Sequence, residues 1–181
     1  MSFYSPSEDS YLLCGVVKSY LKNKENISKL TVFDLGTGSG IQSKNLITLG
    51  IKKENIVASD VNNYALKEAK KIGVEVIKSN LFSKITKKYD LIIFNPPYLP
   101  EDKYDKEIDI TGGKKGDEII VNFFKELKNY LNKKGIVFLL TSSLTPENWK
   151  KIAEKQKFKV KKIAEKHLFF EKLFVWIISL Q

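Results

Sequence analysis

The chain is poor in the residues from which most metal and redox centres are built. Cys14 is its only cysteine and His167 its only histidine. A lone cysteine excludes an intrachain disulfide and points to a reducing compartment. With one histidine beside it, too few soft ligands remain for an ordinary zinc site, so no metal is expected. Long hydrophobic runs are missing as well. The most apolar stretch, Leu173 to Leu180, falls far short of the roughly 20 residues a helix needs to span a bilayer. The opening Met1-Ser2-Phe3-Tyr4-Ser5-Pro6 has neither the basic flank nor the apolar run of a signal peptide. A cytosolic protein with no membrane partner is the expectation. Internal repeats and low-complexity linkers are absent. A length of 181 residues suits one domain, spanning 1–181, whose core needs no covalent staple.

What is present is ordinary in bulk and specific in detail. Hydrophobic residues make up 43% and aromatics 12%, which excludes a disordered chain. Lys+Arg number 31 against 21 Asp+Glu, a net charge of +10. That excess suits an acidic or RNA-associated partner. It equally suits lysine-rich solvated faces such as Lys128 to Lys134 and Lys155 to Lys162, so charge alone selects no function.

Ser7 can cap a helix beginning at Glu8, and Leu12, Leu13, Val16, Val17, Tyr20 and Leu21 follow at helical spacing. A short apolar run, Thr31 to Leu35, leads into a glycine-rich turn and a helix from about Ser39 to Leu49, which Gly50 stops. The pattern recurs as strand Asn55 to Ser59, helix Asn62 to Ile72, and, past Gly73, strand Val74 to Lys78. A fourth strand, Asp90 to Asn95, runs into two prolines. A polar loop precedes a helix from Asp117 to Leu131, and Gly135 precedes a strand from Ile136 to Thr141. Thr145 as cap and Pro146 at the first helical position open another helix, to about Lys157. Two β-like segments, Phe158 to Ala164 and Leu173 to Leu180, follow with no helix between them. The alternation predicts an α/β fold: a mostly parallel seven-stranded sheet, covered on both faces through right-handed crossovers, with a C-terminal antiparallel hairpin.

Four signals fall at the ends of the first four strands. The first is Asp34-Leu35-Gly36-Thr37-Gly38-Ser39-Gly40, where glycines admit close backbone approach to a ligand and helix N-terminal amides favour an anionic group. A dinucleotide fingerprint would continue with glycine at 41, where Ile41 stands. The second is Asp60, followed by Val61, whose carboxylate can accept both ribose hydroxyls of a nucleoside or merely cap the next helix. The third is Asn80-Leu81-Phe82. Asn80 can meet an adenine amino group while Leu81 or Phe82 packs on the ring, although the same residues suit a plain turn.

The fourth is Asn95-Pro96-Pro97-Tyr98 directly after an apolar strand. An amide nitrogen is a poor nucleophile because its lone pair is delocalised into the carbonyl. A site that methylates it has to hold the nitrogen in line and accept its hydrogens. Proline restricts its predecessor to extended geometry, which holds Asn95 and Pro96 straight. The Asn95 side-chain oxygen and the Pro96 carbonyl can then form a paired acceptor for an NH₂ group, and Tyr98 can stack on a planar substrate. Positioning of this kind supplies roughly 7–11 kcal/mol of a barrier in well-oriented cases.

Together these motifs resemble the amino methyltransferases, and the antiparallel ending separates such Rossmann-like class I sheets from dinucleotide-binding ones. The opening Tyr4-Ser5-Pro6-Ser7-Glu8-Asp9-Ser10-Tyr11-Leu12-Leu13, with Gly112-Gly113 through Gly116-Asp117-Glu118 and the late Glu171-Lys172-Leu173, is similar to the HemK-like glutamine methyltransferases in their archaeal and eukaryotic branch. The resemblance covers nearly the whole chain and lacks the helical domain that precedes the bacterial members. It implies S-adenosylmethionine as donor and the glutamine of the Gly-Gly-Gln tripeptide of a class-1 translation release factor as acceptor. It also implies a small zinc-binding activator protein paired to the edge strand Val74 to Ile77. On this reading Asn95, Pro96 and Tyr98 are catalytic, and Asn95, Pro96, Pro97 and Tyr98 hold substrate. The cofactor is held by Glu8, Ser10, Asp34, Gly36, Thr37, Gly38, Gly40, Asp60, Val61, Asn80, Leu81 and Asn95, with the segment 1–22 over it. The family usually has aspartate where Asn80 stands, which leaves one acceptor oxygen in place of two.

Other roles stay open. The acidic loop carrying Glu101, Asp102, Asp105, Glu107 and Asp109 can meet a basic release-factor surface or simply be solvated. NPPY serves an exocyclic adenine amine equally well, so an adenine N6-methyltransferase acting on RNA or DNA is an alternative, as is a non-catalytic scaffold that binds the donor. Cys14, His167, Trp149 and Trp176 are read as structural.

Overall fold

The structure, a computed structural model, describes residues 5–98 and 116–181. Seven strands form one sheet: β1 (Val32–Leu35), β2 (Ile56–Asp60), β3 (Glu75–Lys78), β4 (Tyr89–Phe94), β5 (Leu131–Ser142), β6 (Phe158–His167) and β7 (Lys172–Leu180). Their order is β3-β2-β1-β4-β5-β7-β6. The first five run parallel, and β7 lies antiparallel between β5 and β6. The expected seven-stranded sheet with its closing hairpin is therefore present.

Burial explains why these segments are strands. β1 is buried along its whole length, as a parallel strand covered on both faces should be. Successive residues feed opposite layers. Ile92 and Phe94 of β4 join Phe33, Leu35, Val137 and Leu139 on one face, under α4 (Glu118–Glu126) and α5 (Asn148–Lys155). Leu91 and Ile93 join Val32, Phe138 and Leu140 on the other, under α1 (Glu8–Leu21), α2 (Ile41–Thr48) and α3 (Asn63–Ile72). The helices present matching faces: Leu13, Val17 and Leu21 of α1, and Ile120, Phe123 and Phe124 of α4, are buried. Each such side chain contributes roughly 1.5–3 kcal/mol by leaving water. No helix among the described residues is long and apolar enough to cross a membrane.

Several boundaries differ from the sequence reading. The helix expected to reach Leu131 ends at Glu126, and a short tight turn follows. β5 starts at Leu131 because the chain there pairs with β4: Tyr89 N–H donates to the Tyr130 carbonyl at 2.8 Å, and Asn132 Nδ2 donates to Asp90 Oδ1 at 2.7 Å. Gly135 lies inside that strand, where a Cβ would stand 2.9 Å from the Tyr89 carbonyl oxygen. α5 starts at Asn148, and Thr145 is not its cap. The Thr145 hydroxyl accepts from Ser142 N–H and donates to the Tyr98 carbonyl instead. Ser7 does occupy the cap position of α1 but makes no side-chain capping bond. β6 continues past Ala164 to His167, carried by its pairing with β7.

The strand order places the site. The chain moves outward from β1 toward β3 on one side and from β4 toward β5 on the other. The reversal falls between β1 and β4, and in open α/β sheets ligands settle beyond the carboxyl ends of the strands at such a point.

Candidate active site

A cleft of about 820 Å³ opens there, walled by residues from the ends of β1, β2 and β4, the turn after β3, the start of α1, one face of α4 and the turn between β6 and β7. That volume suits a nucleotide-sized ligand.

The floor is the turn after β1. Asp34 is buried and its Oδ2 accepts from Thr37 Oγ1 at 2.7 Å, Ser43 Oγ at 2.6 Å and Ser43 N–H at 3.1 Å. It thereby locks the turn onto the first coil of α2. Burial pushes the Asp34 carboxyl above its usual range, against the pull of those three bonds. Gly36 and Gly38 both stand at positive φ (66° and 52°), which keeps the turn tight and side-chain-free toward the cleft. Gly40 does different work. It does not line the cleft, and a Cβ on it would stand 2.2 Å from Ile72 Cδ1, so its glycine lets α2 approach α3.

Asp60, at the tip of β2, ties two turns together. Its Oδ2 accepts from Gly38 N–H at 3.0 Å and its Oδ1 from Asn62 N–H at 2.8 Å. Val61 beside it is exposed and lines the cleft. Asn80 is exposed on the cleft wall, and Leu81 beside it holds a positive φ of 46°, unusual for a branched side chain. Ser79 maintains that conformation: its hydroxyl donates to the Leu81 carbonyl at 2.9 Å and accepts from Lys84 N–H at 3.1 Å. Phe82 points elsewhere. It is 1% exposed and stacks on Tyr130 at 4.4 Å, so of the two candidates for a ring-packing role Leu81 alone faces the cleft.

At the tip of β4, Asn95 Nδ2 donates to Asp9 Oδ2 at 3.0 Å. A carboxylate can only accept, so this contact fixes which end of the amide is which. Asn95 Oδ1 is left buried with no partner among the described residues. A buried acceptor without a donor is costly, roughly 1–3 kcal/mol, and where it lines a cleft it marks a place for a ligand's N–H. Pro96 is buried and Pro97 and Tyr98 half-buried, all three on the cleft wall, and the Thr145 bond at 3.3 Å anchors the Tyr98 carbonyl.

Residues 16–169 match the Methyltransferase small domain family. The chain is 40% identical, over 95% of its own length and 89% of the relative's, to a Methanocaldococcus jannaschii protein provisionally named a protein N5-glutamine methyltransferase. The chain belongs to this methyltransferase family. It is also 31% identical to the release factor glutamine methyltransferase of Bacillus cereus, over 72% of the chain and 52% of that protein, so it spans about half of the bacterial relative. Among solved structures, the E. cuniculi Mtq2–Trm112 complex, described as responsible for methylating the eRF1 translation termination factor, matches over 100% of both chains with a TM-score of 0.81. At 23% identity it speaks for the fold.

Of the methyltransferase residues expected from sequence, Glu8, Ser10, Asp34, Gly36, Thr37, Gly38, Asp60, Val61, Asn80, Leu81 and the whole of Asn95 to Tyr98 line this one cleft. Glu8 sits at its rim, where its carboxylate pairs with Lys166. Tyr4, Gly112, Gly113 and the acidic positions Glu101, Asp102, Asp105, Glu107 and Asp109 lie outside the described residues. The sequence reading gave no site role to Asp9, Thr145, Gln42, the Asn122–Lys125–Glu126 face of α4, or Glu171. Asp9 stood inside the quoted opening motif, but nothing local marks it as the partner of a residue 86 positions away. Cys14 is structural, as expected: its thiol donates to Gln42 Oε1 at 3.3 Å and burial pushes it up to about 11. Trp149 and Trp176 are core residues.

Proposed function

We propose that this methyltransferase transfers a methyl group from S-adenosylmethionine to the side-chain nitrogen of the glutamine in the Gly-Gly-Gln motif of a class-1 translation release factor. The observation that carries this reading is the unpartnered Asn95 Oδ1, turned to its acceptor state by Asp9 at the end of the fourth strand. A primary amide offers two hydrogens. One can go to Asn95 Oδ1 and the other to the Pro96 carbonyl. The half-buried Tyr98 ring supplies a flat neighbour for the planar amide. The names of the two relatives support glutamine as the acceptor, and one of them supports the release factor as its bearer.

The residues present fit the donor. The side-chain-free backbone at Gly36 and Gly38 suits its amino-acid portion, the Asp60 carboxylate on the cleft wall suits ribose hydroxyls, and Asn80 with Leu81 suits an adenine edge and face. When bound, S-adenosylmethionine supplies a methyl group activated by its sulfonium. The chain's own part is to hold the amide still, accept its hydrogens and keep water from the cleft; Ser10 and Glu8 at the start of α1 form the cover, within the segment 1–22. The Asn95 oxygen and Pro96 carbonyl accept hydrogen bonds from the nitrogen but are too weakly basic to keep its proton, which passes to solvent after transfer.

A small zinc-binding activator at β3 belongs to the same proposal. β3 is an edge strand with Val76 and Ile77 only half-buried, an edge that a partner strand could extend. The similar E. cuniculi enzyme was solved as a two-protein complex.

The deciding experiment is mass spectrometry of release factor incubated with labelled donor, this chain and the activator. One methyl group on the Gly-Gly-Gln peptide is expected. Label on RNA or DNA with none on the release factor would replace this reading by the adenine one. All 31 basic residues are lysine, so no guanidinium is available for bidentate base or phosphate contacts.

A further inference from the structure

Two features of the turn between β6 and β7 are unexplained by folding. Phe169 and Phe170 are 93% and 86% exposed, packed edge to face on each other with ring centroids 4.6 Å apart. Two adjacent phenylalanines in water lose the burial that would otherwise make them stabilising, and such a patch marks an interaction site. On either side of them, Leu168 and Glu171 turn the other way and line the cleft. Glu171 Oε2 is buried with no hydrogen-bond partner among the described residues. The tip thus shows an apolar pair outward and an unused carboxylate oxygen inward.

The turn is also firmly placed. Leu168 N–H donates to the Glu171 carbonyl at 2.8 Å, closing the hairpin directly beyond the His167–Lys172 pair. Lys166 ties the hairpin to Glu8 at the start of α1. Exposed aromatics on a fixed support make a contact surface with little ordering cost on binding.

We propose that the Leu168–Glu171 turn docks the protein substrate: Phe169 and Phe170 seat on an apolar patch of the folded substrate beside its target loop, and Glu171 accepts a backbone N–H of that loop. The inference rests on the protein-glutamine reading given above. Where the target glutamine follows two glycines, the flanking residues offer no side-chain donors, so main-chain N–H groups are what an acceptor in the cleft wall can recognise. Continuity decides the occupant: the patch and the cleft share one four-residue turn, so whatever presents its side chain to Asn95 has its surface against the rings.

The test uses the full chain with its activator and intact release factor. Replacing both rings (F169A with F170A) is expected to raise KM for release factor about 10- to 100-fold while kcat changes less than twofold. The dissociation constant for S-adenosylhomocysteine should also stay within twofold. Glu171→Leu should lower kcat/KM about tenfold and Glu171→Gln, which keeps one acceptor oxygen, less than threefold. An unchanged KM in the double variant overturns the proposal. So does sedimentation showing a wild-type dimer that the double variant breaks, because the rings would then serve a second copy of this chain. Failure of the wild type to methylate release factor at all sinks the functional reading and this inference with it, an outcome distinct from both.

Discussion

Replacing Asp9 by leucine keeps a side chain branched at Cγ, with added bulk, and removes the oxygen that stands 3.0 Å from Asn95 Nδ2. The amide would then be free to turn its nitrogen into the cleft, where a substrate NH₂ would meet a donor in place of an acceptor. Hydrogen bonds to a charged group contribute about 1.5–3 kcal/mol. If that energy is what holds Asn95 in its working orientation, its loss corresponds to roughly a 10- to 150-fold fall in kcat. Asp9→Asn retains an acceptor of about half the strength, so its kcat should fall only about 4- to 13-fold. Asp9 is buried near the N-terminus of α1, and its Oδ1 also accepts from Ser10 N–H at 2.5 Å, so a general loosening must be separated from a turned amide. Single-turnover rates, calorimetric binding of S-adenosylhomocysteine and a thermal melt on the same protein do this. The reasoning is refuted if Asp9→Leu keeps kcat within twofold of wild type. It is refuted equally if cofactor affinity falls as far as the rate, or if Asp9→Asn is no better than Asp9→Leu.

Asn95→Ala should reduce turnover by at least about 10²-fold while leaving the S-adenosylhomocysteine dissociation constant within about threefold, the loss expected when a positioned acceptor disappears; turnover that survives it would favour a scaffold that binds donor without performing the chemistry. Asp60→Ala should do the reverse, weakening cofactor binding about tenfold before kcat suffers, because it removes the carboxylate that holds Gly38 and Asn62 as well as the expected ribose contacts. Asp90 should give the fold an acid limit. Burial alone would raise its carboxyl, but bonds from Thr31 N–H, the Asn132 amide and the Thr31 hydroxyl outweigh it and hold the carboxyl below its usual range. A depressed carboxyl stabilises the fold above the unfolded value of about 3.9 and ceases to do so as pH falls through the lower folded value. The melting-temperature gap between wild type and Asp90→Asn should therefore narrow as pH drops below about 4; a gap constant down to pH 2 would contradict it.

The sheet was legible because its strands are short, apolar and separated by helices with one apolar face, and every strand and helix existed where the pattern put it. Boundaries failed where pairing overrode pattern. Nothing in Leu131-Asn132-Lys133-Lys134 reads as strand, yet the Asp90–Asn132 bond and the Tyr89–Tyr130 contact draw those residues into β5. Thr145-Pro146 reads as a helix start, yet the Thr145 hydroxyl is used by Ser142 and Tyr98. The site divides the same way. Asn95, Asp60 and the glycine turn announce themselves within a few residues. Asp9, Thr145 and Glu171 matter through partners or a cavity wall that only the folded chain assembles, and Gly40 looked like part of a ligand loop when its neighbour is Ile72.

That division has a physical cause that bears on how such a site is specified. Parallel strands all deliver their carboxyl ends to one rim, so short motifs at those ends converge without further instruction, and the reversal of order between β1 and β4 leaves the crevice they share. Convergence supplies an asparagine but does not say which of its two nearly isosteric ends faces the substrate. The turn before a strand or after a proline cannot settle that either, since the backbone at Asn95 is the same for both rotations of the amide. Only a group of fixed hydrogen-bonding sense can, and a carboxylate is one; here it is Asp9 of α1, a helix that covers the sheet but adds no strand to it. On the proposed function, the opening helix therefore takes part in the chemistry through orientation, beyond covering the cleft. Its attachment to the β6–β7 hairpin through Glu8 and Lys166 links the acceptor's orientation to the turn on which a substrate would rest.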